Sequence, residues 1–259
     1  NIAEHNPGFI NVIHKLDLVS KLFEFFELEH RNNNVHNVRL ILKLIAADVM
    51  DDDVCYNLGI IVKLNAVLSY AFANGVDTFF EPCLGIVDHL LYISSKLIHK
   101  CQTQPVDKSL REKANRIRQW NEALLDNISV YLELCCHTDV GIAEVSSHVL
   151  LLLTQQYPSL HDMLTSKGLI LLRKGVMEYL KVSQFTNTDQ SSLSASSDEQ
   201  HSAADYILKL LLYILQVSPQ FTSRVRADDF LPKTISRLAL ERPITSTTMT
   251  AQQIDKLLQ

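Results

Sequence analysis

The chain predicts an all-α fold, and three observations carry that expectation. Apolar residues recur at spacings of three and four almost everywhere, while strand-type alternation persists nowhere. Glycine and proline number only seven each in 259 residues, which disfavours a sheet sandwich with many tight turns. Similar helix pairs return along the chain, which points to a repeat array. With 47% of the residues apolar, there is ample material for a continuous core.

The elements follow in order. LDLVSKLFEFF from Leu16 places Val19, Leu22, Phe23 and Phe26 on one face of a helix. HNVRLILKLIAAD from His36 is a long helix with Leu40, Ile41, Leu44 and Ile45 on its apolar face. The triplet Asp51-Asp52-Asp53 then suits the N-cap and first turn of a short helix. LGIIVKLNAVL from Leu58 aligns Ile61, Leu64, Val67 and Leu68, and VDTFFEPCLGIVDHLLYISSKLI from Val76 supplies the next long helix. KCQTQPVDKSLREK from Lys100 is a polar loop running into a charged helix, followed by WNEALLDNISVYLEL from Trp120. EVSSHVLLLLTQQYP from Glu144 and KGLILLRKGVM from Lys167 form another long pair. The serine-rich stretch at 184–200 is low in complexity and cannot bury a core, so it is expected to be disordered. AADYILKLLLYILQVSP from Ala203 aligns Ile207, Leu210, Leu211 and Ile214. In DDFLPKTISRL from Asp228, Pro232 falls in a first helical turn, where its missing N–H costs nothing. The expected repeat domain is therefore 1–242, and 243–259 is a linker and the start of a further helix.

Four of these segments begin with Gly or Asp after a short helix. Gly59 and Gly168 are expected to be left-handed corners where the chain reverses, and Asp17 and Asp229 to cap the helices that follow. Asp17 and Gly59 lie 42 residues apart; Gly168 and Asp229 lie 61 apart, and removing the serine-rich insert restores the shorter period. A fifth reversal belongs near Gln119.

Gly59-Ile60-Ile61-Val62-Lys63-Leu64 resembles the hinge of the armadillo repeat, and Asp229-Phe230-Leu231-Pro232 matches it with the proline in register. The resemblance covers roughly residues 6 to 242. It implies an armadillo-like α-α superhelix, a solenoid of about five degenerate repeats, that binds other proteins. Departures are the Asp hinges, the long spacer at Cys101–Lys108, and the lack of the tryptophan and asparagine ladder of nuclear-import receptors, which puts nuclear-signal binding in doubt. More narrowly, NPGFINVIHKLDLVSKLFEFFEL with HNVRLILKLI resembles the C-terminal armadillo region of Fused-type and related unc-51-like kinases. That resemblance implies a regulatory region attached to a kinase or pseudokinase, with a ciliary or cytoskeletal setting, although the chain holds no kinase motif.

In the armadillo pattern the long helix before the short one lines the concave side. Polar residues spaced by four on those helices would then face a groove. They are Arg39 and Lys43; Asp88, Tyr92 and Lys96; Asp205, Lys209 and Tyr213; and, less regularly, His148 and Gln155. Together they outline a mixed-charge surface for an extended peptide or a helix, although an ordinary solvated helix face carries the same pattern. Lys21, Lys63 and Lys233 recur after the hinges and read as snorkelling surface lysines. Trp120 suits either the core or a partner hot spot. His137 and Asp139 belong to a helix cap, and Ser196, before Ser197-Asp198-Glu199, is a candidate site for an acid-directed kinase.

Other classes fare worse. A net charge of −5 argues against wholesale binding of nucleic acid or anionic membrane. A HEAT-like RNA-binding array would need a continuous basic face, and a helical enzyme would need a pocket of convergent titratable groups. No apolar run approaches the ~20 residues of a membrane span. The ten histidines form no HExxH or other zinc spacing, no calcium loop is present, and no glycine-rich phosphate loop occurs. Neither metal nor cofactor is expected, and the chain reads as non-enzymatic. Cys55, Cys83, Cys101, Cys135 and Cys136 include no CxxC pair, which suits free thiols in a reducing, cytoplasmic setting. The start at Asn1 reads as a segment of a longer protein.

Overall fold

A computed structural model describes residues 8, 12, 18–24, 26, 34–46, 52–103, 108–186, 196–241 and 244–259. These residues are overwhelmingly helical, with no strand among them. They fall into two compact units, Asn1–Val130 and Tyr131–Gln259.

The first unit begins with α1 (Leu18–Glu24), α2 (Val35–Ala46), α3 (Asp52–Asn57) and α4 (Ile60–Asn74). A 3₁₀ turn (Asp77–Phe79) leads into α5 (Phe80–Thr103) and then α6 (Lys108–Glu122). Their core is the one the periodicity anticipates: Ile41, Leu44, Ile61, Leu64, Val67 and Leu68 are buried, joined by Leu84, Val87 and Leu91 of α5. α2 packs on α5, and Gly85 lets the two approach closely, since a Cβ there would stand 3.0 Å from Leu42. Gly59 is the expected corner: its φ of 74° is left-handed, and it opens α4 directly. Gly75, with φ of 65°, ends α4 in the same way, and the Val76 amide donates back to the Ala71 carbonyl. Lys63 is more than a surface lysine, because its ammonium donates to the Phe23 carbonyl at 2.9 Å and so satisfies the end of α1.

The reversal expected at Gln119 lies a few residues later. α6 runs through Gln119 to Glu122, and the break is a 3₁₀ turn at Ala123–Asn127 before α7 (Ile128–Leu134). That turn is held by amides: Asn65 donates to the Ala123 carbonyl, Asn127 donates to the Asn65 carbonyl, and the Ser69 hydroxyl donates to the Asn127 side-chain oxygen. Asn65 of α4 thus satisfies the Ala123 carbonyl at the break, and Ser69 fixes the Asn127 side chain that reaches back to α4.

The second unit continues with α8 (Val140–Gln156), α9 (Leu160–Met163), a π turn (Leu164–Gly168), α10 (Leu169–Thr186), α11 (Ser196–Val217), α12 (Pro219–Arg226), α13 (Leu231–Ala239) and α14 (Ser246–Leu258). Asp139 caps α8 as anticipated, accepting from the amides of Gly141 and Ile142. α8 packs on α11, and α11 on α14. Val149, Leu150 and Leu153 of α8 and Ile207, Leu210, Leu211 and Ile214 of α11 are all buried.

Two expectations fail here. Gly168 is no corner: it lies within the π turn, and the helical conformation passes unbroken from Met163 to Leu169. Its role is steric, because a Cβ would stand 2.9 Å from Leu164 Cδ2. The cap before α13 is Asp228 and not Asp229: its Oδ1 accepts from the amides of Phe230 and Leu231 at 2.9 and 2.8 Å, while Asp229 is exposed. Pro232 does occupy the first turn of α13. Asp17 and residues 187–195 lie outside the described residues; the ends of the expected disordered insert, 184–186 and 196–200, are helical.

Candidate interaction surface

The sequence-predicted residues lie on the long helices α2, α5, α8 and α11. In the first unit, Arg39 projects from α2 toward Glu81 on α5, with 3.7 Å between guanidinium and carboxylate. Lys43 is exposed one turn further along α2. On α5, Asp88, Tyr92 and Lys96 succeed one another at intervals of four. Asp88 is half-buried with its Oδ1 shielded from solvent, whereas Tyr92 is 46% exposed. The Lys96 ammonium sits 4.1 Å from the centre of the Tyr92 ring, a cation–π contact on an exposed face. This unit thus presents an aromatic ring and three cations toward solvent, with the carboxylate of Glu81 beside them.

The second unit uses its predicted residues differently. The His148 ring on α8 packs against Tyr206 on α11, with centroids 4.6 Å apart. Lys209 lies 5.3 Å from the same Tyr206 ring and 2.6 Å from the Asp205 carboxylate. Asp205 accepts in turn from the Ser246 hydroxyl on α14 at 3.1 Å. Tyr213 meets His161 edge-on at 5.7 Å, and Gln155 stays exposed. His148, Asp205 and Lys209 therefore form a polar lacing that joins α8, α11 and α14, and Tyr213 ties α11 to α9 through His161, rather than a row of solvated side chains. Tyr206 and Ser246 complete it. Tyr206 falls outside the i, i+4 spacing of Asp205, Lys209 and Tyr213, and Ser246 belongs to another helix, so periodicity alone passes over both.

Trp120 belongs to neither set. It is half-buried and stacks on Tyr56 at 5.0 Å and 14° between planes, with the Arg116 guanidinium 5.6 Å from its ring. The Tyr56 hydroxyl donates to Asn121, one residue on. Asp53 reaches across to Lys113 at 3.0 Å and to Arg116 at 4.0 Å, so its carboxylate pins α3 to α6. The Ser196 side chain lies outside the described residues.

All five cysteines are free. Burial pushes the Cys135 thiol up to about 12 from an ordinary 9.0; the neighbouring Cys136 adds to the rise, while hydrogen bonds with Ser147 and Ser146 oppose it. Burial alone lifts Cys83 beyond the normal thiol range. Because its folded-state value is raised, the Cys135 thiol contributes stability that is fully present below pH 9 and is lost as the pH climbs toward 12. Neither thiol is suited to nucleophilic chemistry at neutral pH. Among the described residues no group of three or more His, Cys, Asp or Glu could hold a metal ion, and no helix is long and apolar enough to cross a membrane.

No curated protein and no solved structure matches the chain. The family profile of the RUNKEL ARM-repeat domain matches residues 17–220, well over half of the length. That span runs from the edge of α1 into α12, through the left-handed corner at Gly59 and the helix pairs α2–α5 and α8–α11, each packed within its own unit. With its all-α architecture and that match, the chain belongs to the RUNKEL ARM-repeat family of armadillo-type proteins.

Proposed function

We propose that this armadillo domain is a non-enzymatic scaffold that binds a polypeptide partner along the exposed polar faces of α2 and α5. The observation that carries this reading is the exposed Tyr92–Lys96 pair, on a helix of the kind that lines the concave side in armadillo folds. A half-exposed aromatic ring offers a partner contact area at little entropic cost, and the adjacent cations supply orientation. Arg39, Lys43 and Asp88 extend the same surface, which suits an extended peptide or one helix of a partner. In the second unit His148, Asp205, Lys209 and Tyr213 serve mainly to hold helices together, and Gln155 is the residue there that remains open to a ligand.

The test is selection of binders from a random peptide library on the purified domain, followed by affinity measurements with the selected peptides. Tyr92→Ala and the double substitution Arg39→Glu, Lys43→Glu are each expected to weaken binding ~10-fold or more. The double substitution should leave helicity and Tm nearly unchanged, since an exposed ion pair such as Arg39–Glu81 contributes only about 0–1 kcal/mol. Unfolding of the double variant would show its residues to be structural. Unchanged affinity with the fold intact would remove α2 and α5 from the binding surface.

A further inference from the structure

The stripe of α5 that carries Tyr92 has an order of charge. At 100° and 1.5 Å per residue, Glu81, Asp88, Tyr92 and Lys96 fall within about 80° of one another along ~22 Å of helix. The acids occupy the first half of that stripe, and from His89 to Thr103 the helix has no Asp or Glu. The acidic half has its own partners: Arg39 stands 3.7 Å from Glu81, and Lys43 and Asp88 are both engaged in contacts of their own. Lys96 differs. Its ammonium lies 4.1 Å from the centre of the exposed Tyr92 ring, and among the described residues no carboxylate pairs with it. A ring face attracts a cation without supplying an oxygen acceptor for its three N–H donors. The contact also restrains a side chain that otherwise loses much rotamer freedom on binding.

We infer that the Tyr92–Lys96 pair is where the α2–α5 surface reads its partner, and that it reads an acidic side chain with an apolar one beside it on the same face of the partner chain. The inference rests on the scaffold reading above and adds the chemistry of the partner. A carboxylate supplies the acceptors that the Tyr92 ring cannot, and it meets an ammonium already held in place. The apolar neighbour covers the part of the ring that Lys96 leaves open. In an extended partner these two residues stand two positions apart; in a helical one, three or four. A basic partner is disfavoured, because Lys96 already occupies the ring face that another cation would seek. A nucleotide could place its base on the ring and its phosphate on the ammonium, but a strand needs successive cations along its track, and the other half of this stripe carries Glu81 and Asp88.

Peptides selected from the random library on the purified chain test it, each in parent form and with its acidic residue changed to glutamine or to lysine. The selected sequences should share a Glu or Asp with an apolar residue at one of those spacings. By fluorescence anisotropy, the change from acid to glutamine should cost about 5-fold on the wild-type chain and little on Lys96→Gln. Lys96→Glu should reverse the preference in favour of the lysine peptide. The wild-type loss should shrink as salt is raised. Lys100→Gln should leave it in place, which separates a defined contact from general attraction to a basic helix end, and the Tm of each variant reports folding separately. If Tyr92→Ala weakens binding but the loss of the acid costs as much on Lys96→Gln as on wild type, the scaffold reading stands and this inference falls. If neither Tyr92→Ala nor the double substitution on α2 alters affinity, the scaffold reading itself falls, and an empty selection counts against both. Selected peptides without an acidic residue, or tighter binding of a single-stranded RNA 12-mer than of the selected peptides, would each overturn the inference.

Discussion

Gly59 and Gly168 look alike in the sequence and do different work. Gly59 is held at φ of 74°, a region that costs an L-residue with a Cβ about 1–2 kcal/mol. Gly59→Ala should therefore destabilise the domain by about that amount. Nothing lies within 4 Å of a Cβ at Gly59, so the loss would come from backbone strain. Gly168 is helical and is crowded by Leu164. In Gly168→Ala the displacement of that buried leucine opposes a gain in helix propensity of up to about 1 kcal/mol. Chemical denaturation of both variants is expected to show the smaller change at Gly168. A loss at Gly168 as large as that at Gly59 would restore the left-handed reading. Local spacing could not separate the two, because the deciding contact comes from a side chain four residues upstream whose position depends on the π turn.

At the level of elements, the helices were legible in the sequence, while their ends were legible only where a local signal sets them. Asp139 is such a signal, and so is Pro232. The cap of α13 was misassigned by one residue, since adjacent aspartates are indistinguishable until the backbone chooses which one precedes the first turn. Asp228 also holds Arg173 at 3.3 Å and is far less exposed than its partner. Asp228→Ala is expected to cost about 1–2 kcal/mol through the lost cap, and Asp228→Asn less, because an amide oxygen can still accept from the two backbone N–H groups. Asp229→Ala should change stability by less than about 0.5 kcal/mol. Thermal unfolding of the three variants decides between the two caps. The second-unit residues assigned to a groove illustrate the same limit. Periodicity places Asp205, Lys209 and Tyr213 on one face of α11, yet says nothing of Tyr206 on the same helix or of Ser246 and His161 on other helices, which engage them.

For the whole molecule, each compact unit has its own buried interior, and a repeat architecture couples mainly neighbouring elements. A core truncation should act locally. Leu64→Ala removes a fully buried side chain from α4 and is expected to cost about 2–5 kcal/mol. Hydrogen exchange followed by mass spectrometry should show faster exchange in α2, α4 and α5 than in α8, α11 and α14. Uniform acceleration across both units would show that the domain opens as one cooperative body. The fold class was readable at this scale because it is a statistical property of many residues, each weakly informative. A binding surface depends on which few side chains are left unengaged, and that is decided by packing between elements distant in sequence.

The π turn at Leu164–Gly168 acts as a phase shifter. One residue more than an α-helical turn holds enters there, so every later side chain of α10 points about 100° away from where uninterrupted winding would aim it. Arg173 opposite Asp228, Lys174 opposite Glu133, and Gly175 against Ile207 all inherit that offset. Excising a single residue from the turn would rotate those three partnerships out of alignment at once, although none of the residues concerned had been altered.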